Sequence, residues 1–239
     1  MQPAYDAALL REGEAFAAAA QMGLDLPVPS CPGWSVAELT WHLGRVHRHW
    51  EERVRLRLQE QAGLTEVERP PHRELVPWFR DGLERLSQAL RGADPGERIW
   101  TWARQQDVGF VRRRMAQETV VHRVDAQLAA GSFEPIEPVL AADGVDEFLD
   151  VMLGEDEERL REGTETIHLH ATDIEAEWLV EVADGRLTNR HEHGRGEAAA
   201  RASASGLLLL LWRRIAPDRV EVLGDRSVLR RFLARADLG

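Results

Sequence analysis

Three side chains in this sequence combine type and placement in a way that could hold a divalent metal ion. Two of them, Glu118 and His122, stand at i and i+4 in "RRRMAQETVVHRVDAQLAAG". Side chains one helical turn apart lie side by side, so a carboxylate and an imidazole at this spacing can reach one ion. The third is His42, in "CPGWSVAELTWHLGRVHRHW". There Val36, Leu39, Leu43, Val46 and Trp50 recur at three- and four-residue steps, the rhythm of a buried stripe, and His42 falls inside it. Two neutral imidazoles and a carboxylate suit zinc or a similar ion. Three protein ligands leave one position for water or substrate, as catalytic sites do.

At about 100° per residue, Phe110, Val111, Met115, Val121 and Leu128 share one arc with Glu118, His122 and Asp125. Arg114 lies at its side, and Arg112, Arg113, Thr119, Arg123 and Gln127 lie opposite. An inward carboxylate is costly unless compensated. A metal would compensate it; so would Arg114 one turn back, with both histidines as ordinary core residues. Asp125 reads as the ion-pair partner of an arginine, the alternative being an acceptor behind a metal-bound imidazole. Cys31, in a proline-flanked loop, reads as a small buried hydrophobe. His168/His170 and His191/His193 each set two imidazoles on one strand face and are expected at the sheet surface.

The elements that must position these residues are legible from periodicity. Helices are expected over 4–22, from a Ser35/Glu38 capping box to about Gln61, over 73–91, over 108–130 with Gly131 as cap, and over 137–153. The texture changes near residue 163. Strands follow at 164–172 and 176–183, a hairpin turn at Asp184–Gly185, and a third strand at 186–192. "SASGLLLLLWRRI" reads as a buried helix, "DRVEVLG" as a strand and "SVLRRFLARA" as a closing amphipathic helix. The fold class is α+β: a four-helix bundle over 1–155 and a smaller α+β domain over 160–239.

A chain of 239 residues has room for one large domain or two modest ones. A net charge of −11 argues against a nucleic-acid partner, which needs a basic footprint. The longest apolar run, "GLLLLLW", is too short to cross a bilayer, and the N-terminal residues show no export signal. Cys31 is the single cysteine, so no internal disulfide can form and a reducing, cytoplasmic setting is expected; the oligomeric state is left open, with a monomer favoured. All 30 basic residues are arginine, which GC-rich coding tends to produce.

"VPSCPGWSVAELTWHLGRVHR", "RRRMAQETVVHRVDAQLAAG", "IHLHATDIEAEWLVEV" and "SASGLLLLLWRRIAPDRVEVLGD" together resemble the mycothiol-dependent maleylpyruvate isomerase family. The resemblance implies a DinB-like metal-binding bundle with a C-terminal α+β domain, and zinc held by the positions His42, Glu118 and His122. Gln117 stands where members often have histidine. The family's functional arginine of the second domain maps to Arg214, with Arg213 as its rival. Mycothiol is the implied thiol cosubstrate. Its metal-bound thiolate would attack a small, carboxylate-bearing electrophile, in an isomerase or a thiol transferase. In the family's isomerase chemistry the thiolate adds to a carbon–carbon double bond, the adduct rotates, and elimination restores the bond. A hydrolase with metal-activated water and a non-catalytic metal- or ligand-binding stress protein remain as alternatives.

Overall fold

The computed structural model describes residues 3–61, 65–155 and 157–236. The chain forms two compact units, one spanning Ala4–Glu134 and the other built from Pro135 onward. The first is a four-helix bundle of α1 (Tyr5–Gln21), α2 (Val36–Leu56), α3 (Leu75–Arg91) and α4 (Val108–Ala130). Helix α1 packs against α3 and α4, and α2 packs against the same two. Leu9, Phe16, Leu39, Leu43, Phe79, Leu83 and Val111 fill the space between them.

Helix α2 starts where its capping box dictates, with Ser35 and Glu38 satisfying each other's backbone amides. It stops at Leu56, short of Gln61, because the chain there turns back to serve Arg53. That side chain is 2% exposed, lies 4.4 Å over the Trp100 ring, and donates to His49 Nε2 at 2.9 Å and the Glu60 carbonyl at 3.3 Å. Arg57 adopts φ 53°, and Leu58 N–H reaches the Arg53 carbonyl at 3.1 Å. Farther up α2, Gly44 lets α3 come close: a Cβ there would stand 2.1 Å from the Trp78 ring.

Helix α4 matches its expected range and ends at Gly131, φ 69°. It has no solvent face. Thr119, Arg123 and Gln127, opposite the ligand arc, are buried as well. Arg123 donates to Glu12 Oε2 on α1 at 2.9 Å and to Gln127 Oε1 at 2.7 Å, so its buried charge is paired.

The second unit holds α5 (Pro138–Glu147), which continues as a π-helical turn over Phe148–Leu153, then α6 (Glu157–Leu160). The strands β1 (Thr166–Ala171), β2 (Glu177–Ala183), β3 (Arg186–Arg190), β4 (Ala198–Ala202) and β5 (Glu221–Gly224) follow, with α7 (Ala204–Leu211) and α8 (Arg226–Ala234). The sheet order is β3-β2-β1-β4-β5; β1 and β4 run parallel and the other pairs are antiparallel. Asp184 and Gly185 turn the β2–β3 hairpin with φ 52° and 75°, as a two-residue type I′ turn requires. The compact units divide at Glu134/Pro135, ahead of the change in texture near residue 163. Helix α5 accounts for this: it packs on α7, and its Asp146 Oδ1 accepts the Trp178 indole N–H at 2.7 Å. Helical texture does not decide which core a helix joins. Strand β4 was not expected, because "AAARA" has low β propensity. It holds the sheet between β1 and β5, where Ala198 and Ala200 are wholly buried and a larger side chain would find no room.

Gly44→Ala should destabilise the protein by about 1–3 kcal/mol, because Trp78 must move from a filled core. Gly82→Ala, on the facing helix with its nearest neighbour at 3.8 Å, should be neutral or stabilising by up to about 1 kcal/mol. Urea midpoints of the two variants check both signs.

Candidate metal centre

The three expected ligands come together. Helix α2 brings His42 to α4, where Nε2 stands 3.4 Å from Glu118 Oε1; His122 Nε2 stands 3.2 Å from the same oxygen. The two imidazole rings meet edge to face, with centroids 5.2 Å apart. Zinc bonds of about 2.0–2.1 Å place neighbouring tetrahedral ligands about 3.3–3.4 Å apart, so these separations fit one ion. Among the described residues, this is one of two groups of His, Cys, Asp or Glu donors close enough to share a cation. The His42 side chain is 37% exposed, so the convergence point is reached from solvent.

Glu118 makes the one-turn ion pair and leaves its second oxygen to the imidazoles. Oε2 accepts from Arg114 Nη2 at 2.5 Å, the one-turn ion pair, while Oε1 faces the imidazoles. Burial pushes the Glu118 carboxyl up, but His122 and Arg114 outweigh it and hold the group well below the ordinary carboxylate range. Asp125 is wholly buried, and its Oδ2 accepts from His122 Nδ1 at 2.9 Å. This is the position of an acceptor behind an imidazole, the alternative that the sequence left beside an arginine partner. It leaves Nε2 of His122 facing Glu118 and the centre. Burial would lower the His122 pKa, yet Glu118 and Asp125 raise it to about 9. The surroundings are therefore built for positive charge, which a proton or a metal cation satisfies.

The loop before α2 supplies groups that sequence reasoning did not assign. Ser30 Oγ donates to Asp125 Oδ1 at 2.5 Å, and the Trp34 ring lies 5.1 Å from the His42 ring. Trp34 thus covers the candidate ligand His42. Cys31 is half-buried with Sγ 4.0 Å from Asp125 Oδ2, behind the centre and outside its donor set. His47, given no role from sequence, is wholly buried, with Nε2 2.9 Å from Thr119 Oγ1; burial lowers its pKa to about 3. Its place four residues after Leu43 and three before Trp50, on the buried stripe, was the signal available. Arg214, in the second unit, donates from Nη1 to the Trp212 carbonyl at 2.9 Å.

The two histidines should tilt stability with pH in opposite senses. His122, raised from 6.5 to about 9, contributes stability that is complete below pH 6.5 and is lost as pH climbs through 9 in metal-stripped protein. His47, lowered from 6.5 to about 3, makes stability fall as pH drops below 6.5, where the unfolded chain takes up a proton that the folded one refuses. Urea unfolding across pH should show His122→Gln flattening the alkaline limb and leaving the acid limb in place.

Residues 6–127 match the family described as mycothiol maleylpyruvate isomerase N-terminal domain, and residues 139–231 match its C-terminal domain. No protein of curated function matches the chain. Its structure is similar to the crystal structure of the mycothiol-dependent maleylpyruvate isomerase, with a TM-score of 0.63 and 11% identity over 91% of each chain. A mutant of that isomerase is similar at a TM-score of 0.61 and 12% identity, again over 91% of each chain. At such identities the likeness shows the fold, a DinB-like bundle followed by an α+β unit. The two matched domains span most of the sequence, and the chain belongs to the mycothiol maleylpyruvate isomerase family.

Proposed function

We propose that this chain is a metal-dependent, mycothiol-dependent isomerase or thiol transferase for a small, carboxylate-bearing electrophile. The observation that supports it most is the convergence of His42 Nε2, His122 Nε2 and Glu118 Oε1 at separations suited to one zinc-type ion. A divalent ion held by these three residues supplies a Lewis acid at which a thiol loses its proton at neutral pH.

The chain's own residues set the terms of that chemistry. Asp125 fixes the His122 ring through Nδ1 and Arg114 fixes Glu118 through Oε2, so both ligands are oriented in advance. Two carboxylates against one guanidinium leave the centre short of positive charge, a deficit that a dication with an anionic sulfur would neutralise. Trp34 beside His42 gives an apolar wall against which an incoming molecule sheds water. Arg214 is assigned to the carboxylate of substrate or cosubstrate, where a guanidinium makes paired, charge-assisted bonds. Arg213, whose Nη2 donates to the Ala236 carbonyl at 2.8 Å, remains its rival. A cytoplasmic location suits a thiol cosubstrate and a lone cysteine, and no helix among the described residues is long and apolar enough to cross a membrane.

Zinc-loaded and metal-stripped protein should be assayed on maleylpyruvate and on thiol-conjugating electrophiles, with and without mycothiol. Turnover should require both metal and thiol. His122→Ala should lose its metal and about a thousandfold or more in kcat/KM. Arg214→Ala should weaken carboxylate-bearing substrates by about 10- to 100-fold, mostly in KM. Equal turnover without thiol would make the chain a hydrolase. Equal metal at this centre in His122→Ala would remove the proposal.

A further inference from the structure

We infer that the second unit carries a metal site of its own, a zinc-type centre formed by His168, His170, Glu177 and His193. These donors lie within 4.8 Å of one another. They come from three elements that the sheet topology brings to one place. His168 and His170 alternate on β1, and Glu177 stands directly across from His170 on β2. His193 arrives on the strap 191–197, which must pass from the end of β3 over β2 and β1 to reach β4 on the far side.

The strap is shaped to lie on the sheet. A Cβ on Gly194 would stand 2.5 Å from the Leu179 side chain, and one on Gly196 would stand 2.8 Å from the His168 backbone nitrogen. Glu197 N–H then bonds the Thr166 carbonyl at 2.8 Å. The glycines bring the backbone down, and His193 is left beside the strand histidines, with its ring centroid 5.1 Å from that of His168.

All three imidazoles converge on one carboxylate. His168 Nε2 and His193 Nδ1 stand 2.8 and 2.7 Å from Glu177 Oε2, and His170 Nδ1 stands 3.0 Å from Oε1. The three rings thus turn a nitrogen each toward the same small space, where one cation could take all three together with the carboxylate. Separation by about half an ångström gives the ligand spacing of a tetrahedral zinc ion. Three nitrogens and an oxygen suit zinc and its first-row neighbours over magnesium or calcium. Four protein ligands make the site closed, of the structural kind, joining strap to strands. A cleft of about 660 Å³ opens onto it, with Asp143, Asp146, Glu175 and Glu192 in its wall, an acidic approach that concentrates cations. The expectation that these histidines are sheet-surface positions fails for His168, which is 8% exposed.

The test is zinc titration of full-length, chelator-stripped protein against a chromophoric competitor, with circular dichroism to confirm folding. Wild type should bind two equivalents, His122→Ala one, and the double variant His170→Ala/His193→Ala, changed at more exposed positions, also one. Combining all three substitutions should weaken the zinc binding left in His122→Ala by more than about 100-fold, beyond the loss of an outer-shell partner. Zinc should slow backbone hydrogen exchange over 191–197 in His122→Ala and fail to do so once His170 and His193 are gone. A folded His122→Ala that binds no zinc overturns the site, as does a double variant with wild-type stoichiometry. A loss of only a few-fold marks adventitious imidazole binding and overturns it too. One equivalent in wild type, kept by His122→Ala and lost by the double variant, upholds this site and refutes the one in the bundle.

Discussion

A carboxylate inside a helical bundle has to be compensated where it sits, and the surroundings of Glu118 follow from that constraint. One oxygen takes the Arg114 guanidinium; the other faces two imidazoles. Each compensating group then needs support of its own. His122 is held by Asp125, Asp125 is closed off by Ser30, and His42 lies under Trp34. The centre is thus a chain of mutually supporting groups running from α2 through α4 into the loop at residues 22–35, in which the two buried carboxylates each have more than one partner.

Helix α4 is what makes such a chain stable. It has no exposed residue, and several of its buried polar residues are fixed by partners: Thr119 by His47, Arg123 by Glu12 and Gln127. A helix determined by that many pairings has little freedom to rotate, and Glu118 and His122 keep their aim toward one point. The second unit solves a related problem with a sheet. Its parallel β1–β4 pair demands a crossing connection, and glycines let that connection lie flat on the strands while it delivers His193 to Glu177.

The bundle was readable because its signals are local. Periodicity and caps place α2 and α4, and the one-turn Glu118/His122 spacing survives into the structure unchanged. His42 was readable as a candidate but not as a partner, since no helical spacing tells which distant helix it will face; the family resemblance supplied that. At Glu118 the ion pair engages Oε2 and leaves Oε1 facing the imidazoles, so the pair does not exclude the proposed ligand role. Strand β4 was hidden because alanines are selected there by lack of room, a property of neighbours rather than of the segment. Helix α5 reads as part of the bundle by texture and belongs to the other core by packing. The His168 cluster was half visible as alternating pairs; the topology that joins them to Glu177 and His193 was not.

The most direct measurement is anomalous diffraction from crystals of the zinc-loaded protein, collected on both sides of the zinc absorption edge. The assignment requires a peak bonded at once to His42 Nε2, Glu118 Oε1 and His122 Nε2, at about 2.0–2.2 Å from each. Fully loaded crystals with no anomalous peak among those three atoms would contradict it.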